Sequence, residues 1–398
     1  MLWSHRRIYA DAAAATPLSR NVQKELARLL NVYGNPGALH KEAVEAHAEL
    51  AHAREVAATS IGAHQDEIIF TSGGTESNNL ALIGLLRRQL TVHGPIHAIT
   101  SAIEHPSVLE PLRALKAEGL HLTELPVDST GRISLEELRN AVTDKTVLVS
   151  IQFVNGEIGT IEPIRDISKE VRRIRKVRVE QGNTLPCYVH TDASQAPLWK
   201  TIRVDALGID LLTLDGQKIL GPKGVGALYV RRGVVLEPLL LGGGQERGLR
   251  SGTENVLLAS AFAVALCDAQ QSEDVVSKRI TIVRNFLLQE ILKRIPEVVL
   301  NGAVGDVRVC NNLNLSIPLL DGEMATIALD ALGVAVSTRS ACDASNEEPS
   351  HVLVALGTLP EVMKHSIRIT LLPAATKKEA TAIAVALKQV AQRYRIVV

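Results

Sequence analysis

The chain of 398 residues is 46% apolar, enough for a well-buried core and, by its length, for more than one domain. Its 43 Lys+Arg residues balance 43 Asp+Glu, so no basic field argues for a nucleic-acid partner. No run approaches ~18 uninterrupted apolar residues, and Met1-Leu-Trp-Ser-His-Arg-Arg-Ile-Tyr9 lacks the apolar stretch of a signal peptide, so a cytoplasmic protein with no membrane span is expected.

From about residue 65 to 235, short apolar runs alternate with helix-like stretches. The runs are Glu67-Ile-Ile-Phe-Thr71, Ile96-His-Ala-Ile-Thr100, Thr146-Val-Leu-Val-Ser-Ile-Gln152, Tyr188-Val-His-Thr191, Leu211-Leu-Thr-Leu214 and Val225-Gly-Ala-Leu-Tyr-Val230. They are apolar throughout rather than alternating, as strands covered on both faces are. Between them lie amphipathic stretches such as Ser134–Val142, opened by a capping box, Ser134-Leu-Glu-Glu137. Such alternation predicts a mainly parallel sheet with right-handed crossovers. The basic stretch Arg172-Arg-Ile-Arg-Lys-Val-Arg178 reads as a solvated helix face.

After about residue 264 the pattern changes. A long helix is expected over Ala261–Arg294, then a second strand and helix set from Asn312-Leu-Asn-Leu-Ser316 to Ile367-Arg-Ile-Thr370. A closing helix over Thr376–Arg393 begins with another capping box, Thr376-Lys-Lys-Glu379. The expected organisation is a large α/β domain at 17–264 and a smaller α+β domain made of 1–16 and 265–398. His40, His47 and His52 are seven and five residues apart, which does not fit an i,i+4 metal pair; they read as a polar helix face, and no metal site is expected.

Four cysteines, at 187, 267, 310 and 342, form no C-x-x-C and are too dispersed for a disulfide framework. Cys187, Cys267 and Cys310 lie among apolar residues and read as buried thiols. Cys342 differs. It sits in the polar loop Val336-Ser-Thr-Arg-Ser-Ala-Cys-Asp-Ala-Ser345, between the alternating run Leu332–Ser337 and a helix start at Pro349-Ser350, which presents its sulfur for chemistry.

Three further segments could form a site with it. Phe70-Thr-Ser-Gly-Gly-Thr-Glu-Ser-Asn-Asn79 joins a strand to a helix through a small turn whose backbone N–H groups could cradle a phosphate; it is neither a P-loop nor a dinucleotide fingerprint, and an ordinary turn would also explain it. Asp192, in Tyr188-Val-His-Thr-Asp-Ala-Ser-Gln195, stands just beyond a strand's carboxyl end, where it could pair with a protonated pyridine nitrogen or simply cap a helix. Lys218, in Leu214-Asp-Gly-Gln-Lys-Ile-Leu-Gly-Pro-Lys-Gly224, is a Schiff-base candidate or an exposed loop lysine.

Taken together and in this order, these segments resemble the cysteine desulfurases of the class V aminotransferase family, over about residues 8 to 390. Tyr9-Ala-Asp-Ala-Ala-Ala-Ala-Thr-Pro17, Gly34-Asn-Pro36, Glu104-His105, Asn155-Gly-Glu-Ile-Gly159, His190-Thr-Asp192, Gly242-Gly-Gly-Gln-Glu-Arg-Gly-Leu-Arg-Ser-Gly-Thr253, Ser340-Ala-Cys342 and Ser366-Ile-Arg368 carry the likeness. The resemblance implies a fold type I α/β enzyme with a mainly parallel seven-stranded sheet, acting on L-cysteine with pyridoxal 5'-phosphate. It implies that Lys218 binds the cofactor covalently and moves the Cα proton. Asp192 would face the ring nitrogen, Gln195 the ring oxygen and His105 the ring face. Gly74, Thr75 and Gln217 would hold the phosphate, with Thr253 reaching the phosphate of the other subunit in a homodimer. Arg368, Asn35 and Asn155 would bind substrate. Cys342, in a long loop over about 337–349, would take the sulfur as a persulfide and pass it to an acceptor, an Fe–S scaffold or a tRNA-thiolation relay. A selenocysteine lyase, another β-elimination, or a non-catalytic scaffold on this fold are the alternatives. The family pattern is broken near the cofactor. A second asparagine is replaced by Gly156, a phosphate-binding serine by Asp215 and a histidine by Gln217, and Thr370-Leu-Leu-Pro373 follows the arginine.

Overall fold

The computed structural model describes residues 7–338 and 350–394. Its strands are β1 (Ile8–Tyr9), β2 (Ile68–Thr71), β3 (Ile96–Ser101), β4 (Leu120–Leu125), β5 (Thr146–Ser150), β6 (Tyr188–Asp192), β7 (Leu211–Asp215), β8 (Gly226–Val230), β9 (Val299–Leu300), β10 (Asn312–Ser316), β11 (Val334–Ala335) and β12 (Ser366–Thr370). Seven of them form one sheet in the order β2-β8-β7-β6-β5-β3-β4. The steps from β7 through β6, β5 and β3 to β4 are parallel, and β8 runs antiparallel to both β2 and β7. The mainly parallel seven-stranded sheet implied by the sequence is what the chain builds.

Uniformly apolar strands are required because both faces of this sheet are covered. Ile68 and Phe70 enter one core while Ile69 enters the other; Leu211 and Leu212 divide in the same way, as do Ala98 and Ile99. Successive residues of a strand point to opposite faces, so each residue finds an apolar neighbourhood. β4 is the exception. Its ends are buried but four residues between them are partly or fully exposed, as suits an edge strand, and that polar run, His-Leu-Thr-Glu, hid it from an apolarity-based reading.

The helix Val256–Arg294 begins five residues earlier than the periodicity predicts, where the Asn255 side chain accepts from the Leu258 N–H as an N-cap. It packs against the helices Arg20–Leu29, Lys41–Ile61 and Lys377–Tyr394. β9, β10 and β12 form an antiparallel sheet, and β1 pairs with β11. The Ala10 carbonyl accepts from the Thr370 N–H, so the segment after β1 is laid beside the end of β12. Both expected caps form: Ser134 Oγ accepts from the Glu136 and Glu137 N–H groups, and Thr376 and Glu379 cap each other. No helix among the described residues is long and apolar enough to cross a membrane.

Three readings need correction. Arg178 and Arg175 do not belong to a solvated face. Arg178 is buried and donates to the carbonyls of Thr143 and Thr146 at 2.6 and 2.8 Å, while Arg175 pairs with Asp210. Cys187 and Cys310 are buried, which pushes both thiols up to about 11, but Cys267 is only half-buried and its sulfur accepts from the Gln271 amide. His40 caps the helix Lys41–Ile61 from outside, leaving His47 and His52 exposed on it. Replacing Arg178 by Ala would strand the buried Thr146 carbonyl and remove the donor to the Thr143 carbonyl, so Arg178→Ala should cost about 3 kcal/mol of stability, read from the shift of the urea midpoint; an unchanged midpoint would refute the structural role.

Candidate active site

The carboxyl ends of β6 and β7 and the amino end of the helix Gly74–His93 meet at one place. β7 ends at Asp215 and turns at once into a single 3-10 turn, Gly216–Lys218. Thr16 fixes that turn from outside: its N–H and hydroxyl both donate to the Gln217 carbonyl, and its oxygen accepts from the Leu220 N–H. Leu220 is held at φ 63°, a left-handed conformation that costs a branched residue on the order of 1 kcal/mol. The result is a lysine aimed by its backbone. Lys218 Nζ donates to the carbonyls of Ala13 and Ala14 at 2.9 and 2.7 Å.

Asp192 closes β6. One oxygen accepts from the Ser194 N–H and the other from the Asn78 amide at 2.7 Å. The same Asn78 nitrogen donates to Ser107 Oγ at 2.8 Å, and Ser107 Oγ lies 2.8 Å from His105 Nδ1. His105 Nδ1 also accepts from the Ser107 N–H, as the N-cap of the helix Pro106–Ala114. A nitrogen accepting that bond carries no proton, so the neutral ring bears its hydrogen on Nε2. Sequence reasoning missed Asn78 and Ser107. Their only signal is position: Asn78 lies four residues after Gly74 and faces the same side of its helix.

Behind this chain sits Glu104, fully buried. It accepts from Ser101 Oγ and the Gln152 N–H, and its second oxygen has no partner. Burial pushes its carboxyl up to about 8. His190, between Ser150 and Thr213, is driven the other way by burial, down to about 4, and is neutral at pH 7.

Two adjoining cavities open here. The larger, of about 290 Å³, is walled by Ala13, His105, Asn155, Gln195, Lys218 and Arg368 among others, and Gln217 also reaches it. The smaller, of about 90 Å³, is walled by Gly74, Thr75, Asn78, Asp192, Ser194 and Asp215, and shares His105, Gln195 and Lys218 with the first. Most of the residues singled out from sequence thus line one connected space. Asn35 and Thr253 line neither cavity and are exposed, with Asn35 Oδ1 accepting from the Gly37 N–H. Asn155 is on the wall, but its oxygen is taken by the N–H groups of Glu157 and Ile158. Arg368, buried, pairs with Asp11 at 2.9 Å and donates to the Gly156 carbonyl at 3.2 Å, while its Nε has no partner. Gly156 makes room for Gln195: a Cβ there would stand 3.0 Å from the Gln195 amide nitrogen. Cys342 and the rest of 339–349 lie outside the described residues.

A planar phosphorylated pyridine fits this lining. Asp192 would face the ring nitrogen, Lys218 would form the covalent attachment, and the opening N–H groups of the helix Gly74–His93, which has no side-chain cap, would receive a phosphate. Gly74 keeps this turn close-packed: a Cβ there would stand 2.9 Å from Ser194 Oγ. The one poor fit is Asp215, whose carboxylate borders the same turn.

Glu104 supplies a test by pH. Its folded value lies above the ordinary carboxyl value, so its burial is tolerated while protonated and destabilises as pH rises from about 4.5 through about 8. Relative to Glu104→Gln, the unsubstituted chain should therefore lose stability between pH 5 and pH 9 in denaturant titrations; a pH-independent difference would rule this out.

A family model described as "Aminotransferase class-V" matches residues 8–383. The cysteine desulfurase IscS of Dictyoglomus turgidum is 40% identical over 395 residues, covering 98% of this chain and 96% of the relative. That of Methanosarcina thermophila is 39% identical, covering 98% and 93%. A solved NifS-like protein superposes with a TM-score of 0.88 at 32% identity, covering 97% of this chain and all of that one. With its sheet order, its lysine turn and its full-length likeness to these relatives, the chain belongs to the class V aminotransferase family, among the pyridoxal-phosphate-dependent cysteine desulfurases.

Proposed function

We propose that the chain takes sulfur from L-cysteine onto Cys342, releasing L-alanine, and hands the persulfide to an acceptor protein serving Fe–S cluster assembly or tRNA thiolation. The observation that carries this reading is where the Cys342 segment is anchored. Ser337, just before it, exchanges backbone hydrogen bonds with Arg368 on the cavity wall. Just after it, Ser350 Oγ donates to Glu157, and His351 and Val352 line the larger cavity with Lys218. Both ends of the cysteine's segment therefore belong to the lysine's cavity.

Pyridoxal phosphate, held covalently on Lys218, would supply an electron sink for bond changes at the substrate's Cα and Cβ. The other steps fall to side chains. Arg368 receives the substrate carboxylate, its unpartnered Nε and weakly engaged Nη1 being donors in search of an acceptor. Lys218, flanked by two carbonyls, moves the proton at Cα. His105 keeps its Nε2–H toward the reacting group because Ser107 occupies Nδ1. Gln195, Gln217, Gly74 and Thr75 surround the cofactor. Cys342 attacks the substrate's sulfur as a thiolate; the new S–S bond forms as the Cβ–S bond breaks, and alanine leaves with a proton restored at Cβ.

Thr253 and Asn35 would act across a homodimer interface, which accords with their exposure and distance from their own chain's cavity. Leu30, Tyr33 and Leu39 on one loop and Leu240 and Leu241 on another are exposed apolar residues that such an interface would cover. We assign the large domain to 17–264 and the small one to 1–16 with 265–398, joined by the helix Val256–Arg294. The unpaired thiols among the described residues suit a reducing cytoplasm.

Cys342→Ala should retain the visible absorbance of bound cofactor yet form no protein persulfide from cysteine, whereas Lys218→Ala should lose that absorbance; persulfide at the unsubstituted rate in Cys342→Ala would place the sulfur elsewhere. Sedimentation equilibrium should give a dimer that Tyr33→Glu with Leu241→Glu converts to monomer, and a monomeric unsubstituted chain would remove the shared site.

A further inference from the structure

We propose that Asp215 is an anion built into the phosphate end of the cofactor cavity, competing with the cofactor's phosphate and setting how tightly this chain holds it. The inference rests on pyridoxal phosphate occupying the two cavities as described. Asp215 is the last residue of β7 and is 7% exposed. Both of its oxygens accept from Gln217, one from the N–H and one from the side-chain amide, each at 3.2 Å. A Cβ built on Gly74 would stand 3.3 Å from Asp215 Oδ2, so the carboxylate abuts the first turn of the helix Gly74–His93.

That turn is where a phosphate would be bound. The helix opens at Gly73 without a side-chain cap, so its first N–H groups point to the chamber; the unpartnered Oδ1 of Asn78, 1% exposed, is an acceptor in the same chamber and calls for a donor, not for the phosphate. Glu76, on the same turn, is committed elsewhere, to Arg250 and the Ser72 N–H. The other ionisable groups facing the chamber are Lys218, His105 and Asp192. Asp192 is held by Asn78 and Ser194, and Lys218 donates to the Ala13 and Ala14 carbonyls.

Two effects then act in the same direction. A carboxylate a few ångströms from a phosphate in a shielded cleft repels it, and like charges at such range shift equilibria by tenfold to a thousandfold. Asp215 also engages the Gln217 amide, which takes one neutral donor out of play at this end of the cavity. The ring and the lysine attachment are untouched by either effect. Asp215 therefore discriminates against the phosphate alone, and the chain exchanges its cofactor more readily than a serine in this position would allow.

The test uses the full-length chain freed of cofactor, titrated with pyridoxal phosphate and, separately, with pyridoxal, which lacks the phosphate. Asp215→Asn and Asp215→Ser are compared with the unsubstituted chain, binding being followed by the visible absorbance. The expected result is a Kd for pyridoxal phosphate about tenfold lower or better in both variants, with the Kd for pyridoxal unchanged. An unchanged or higher Kd for pyridoxal phosphate in the variants overturns the inference alone, as does an equal gain for both ligands. If no form of the chain binds either ligand, the cofactor reading falls with it.

Discussion

Asn78 has two amide hydrogens, and the structure directs one to Asp192 and the other to Ser107. Much of the site's order follows from that division. Ser107 Oγ, having accepted from Asn78, is left with its own proton to give to His105 Nδ1, and His105 is thereby kept in one tautomer. Asp192 is meanwhile held in place on the other arm. The Asp192 carboxylate and the His105 imidazole are thus oriented by one side chain on a third element. Such a relay has no slack: replacing any member leaves its neighbours with unsatisfied buried groups.

The sheet makes the relay possible. β6 and β7 run parallel, so Asp192 and Asp215 emerge at the same edge, and the helix Gly74–His93 packs over β7 and β8 with its amino end at that edge. Ligands in open α/β sheets gather at the carboxyl ends of strands for this reason. Two covered faces hold the platform rigid, because every strand of the sheet but the edge strand β4 is buried from both sides.

The parts legible in the sequence are those whose cause is local. The lysine turn could be read because Gly, Pro and Lys sit within a few residues of each other, and the parallel sheet because its strands are apolar end to end. Asn78 could not be read: its partners lie 29 and 114 residues away, and nothing nearby marks it. Thr16 bonds across 201 and 204 residues to the lysine turn and was equally silent. β4 escaped because an edge strand need not be apolar. The departures at Gly156 and Asp215 were visible as letters, but their meaning was spatial. Gly156 turns out to be the space that Gln195 leans into, whereas Gln217, read as a phosphate donor, has its amide on Asp215.

The anchoring of Ser337 against Arg368 also fixes a length. Cys342 is five residues beyond Ser337, and a chain extends at most about 3.4 Å per residue, so its Cα cannot stray more than about 17 Å from that anchor whatever path 339–349 follow. Confinement to such a radius makes the sulfur's encounter with the cavity an intramolecular event, at an effective concentration in the millimolar range or above. The same leash sets an outer limit: anything that reacts with that sulfur has to come within reach of it, near the anchor at Ser337.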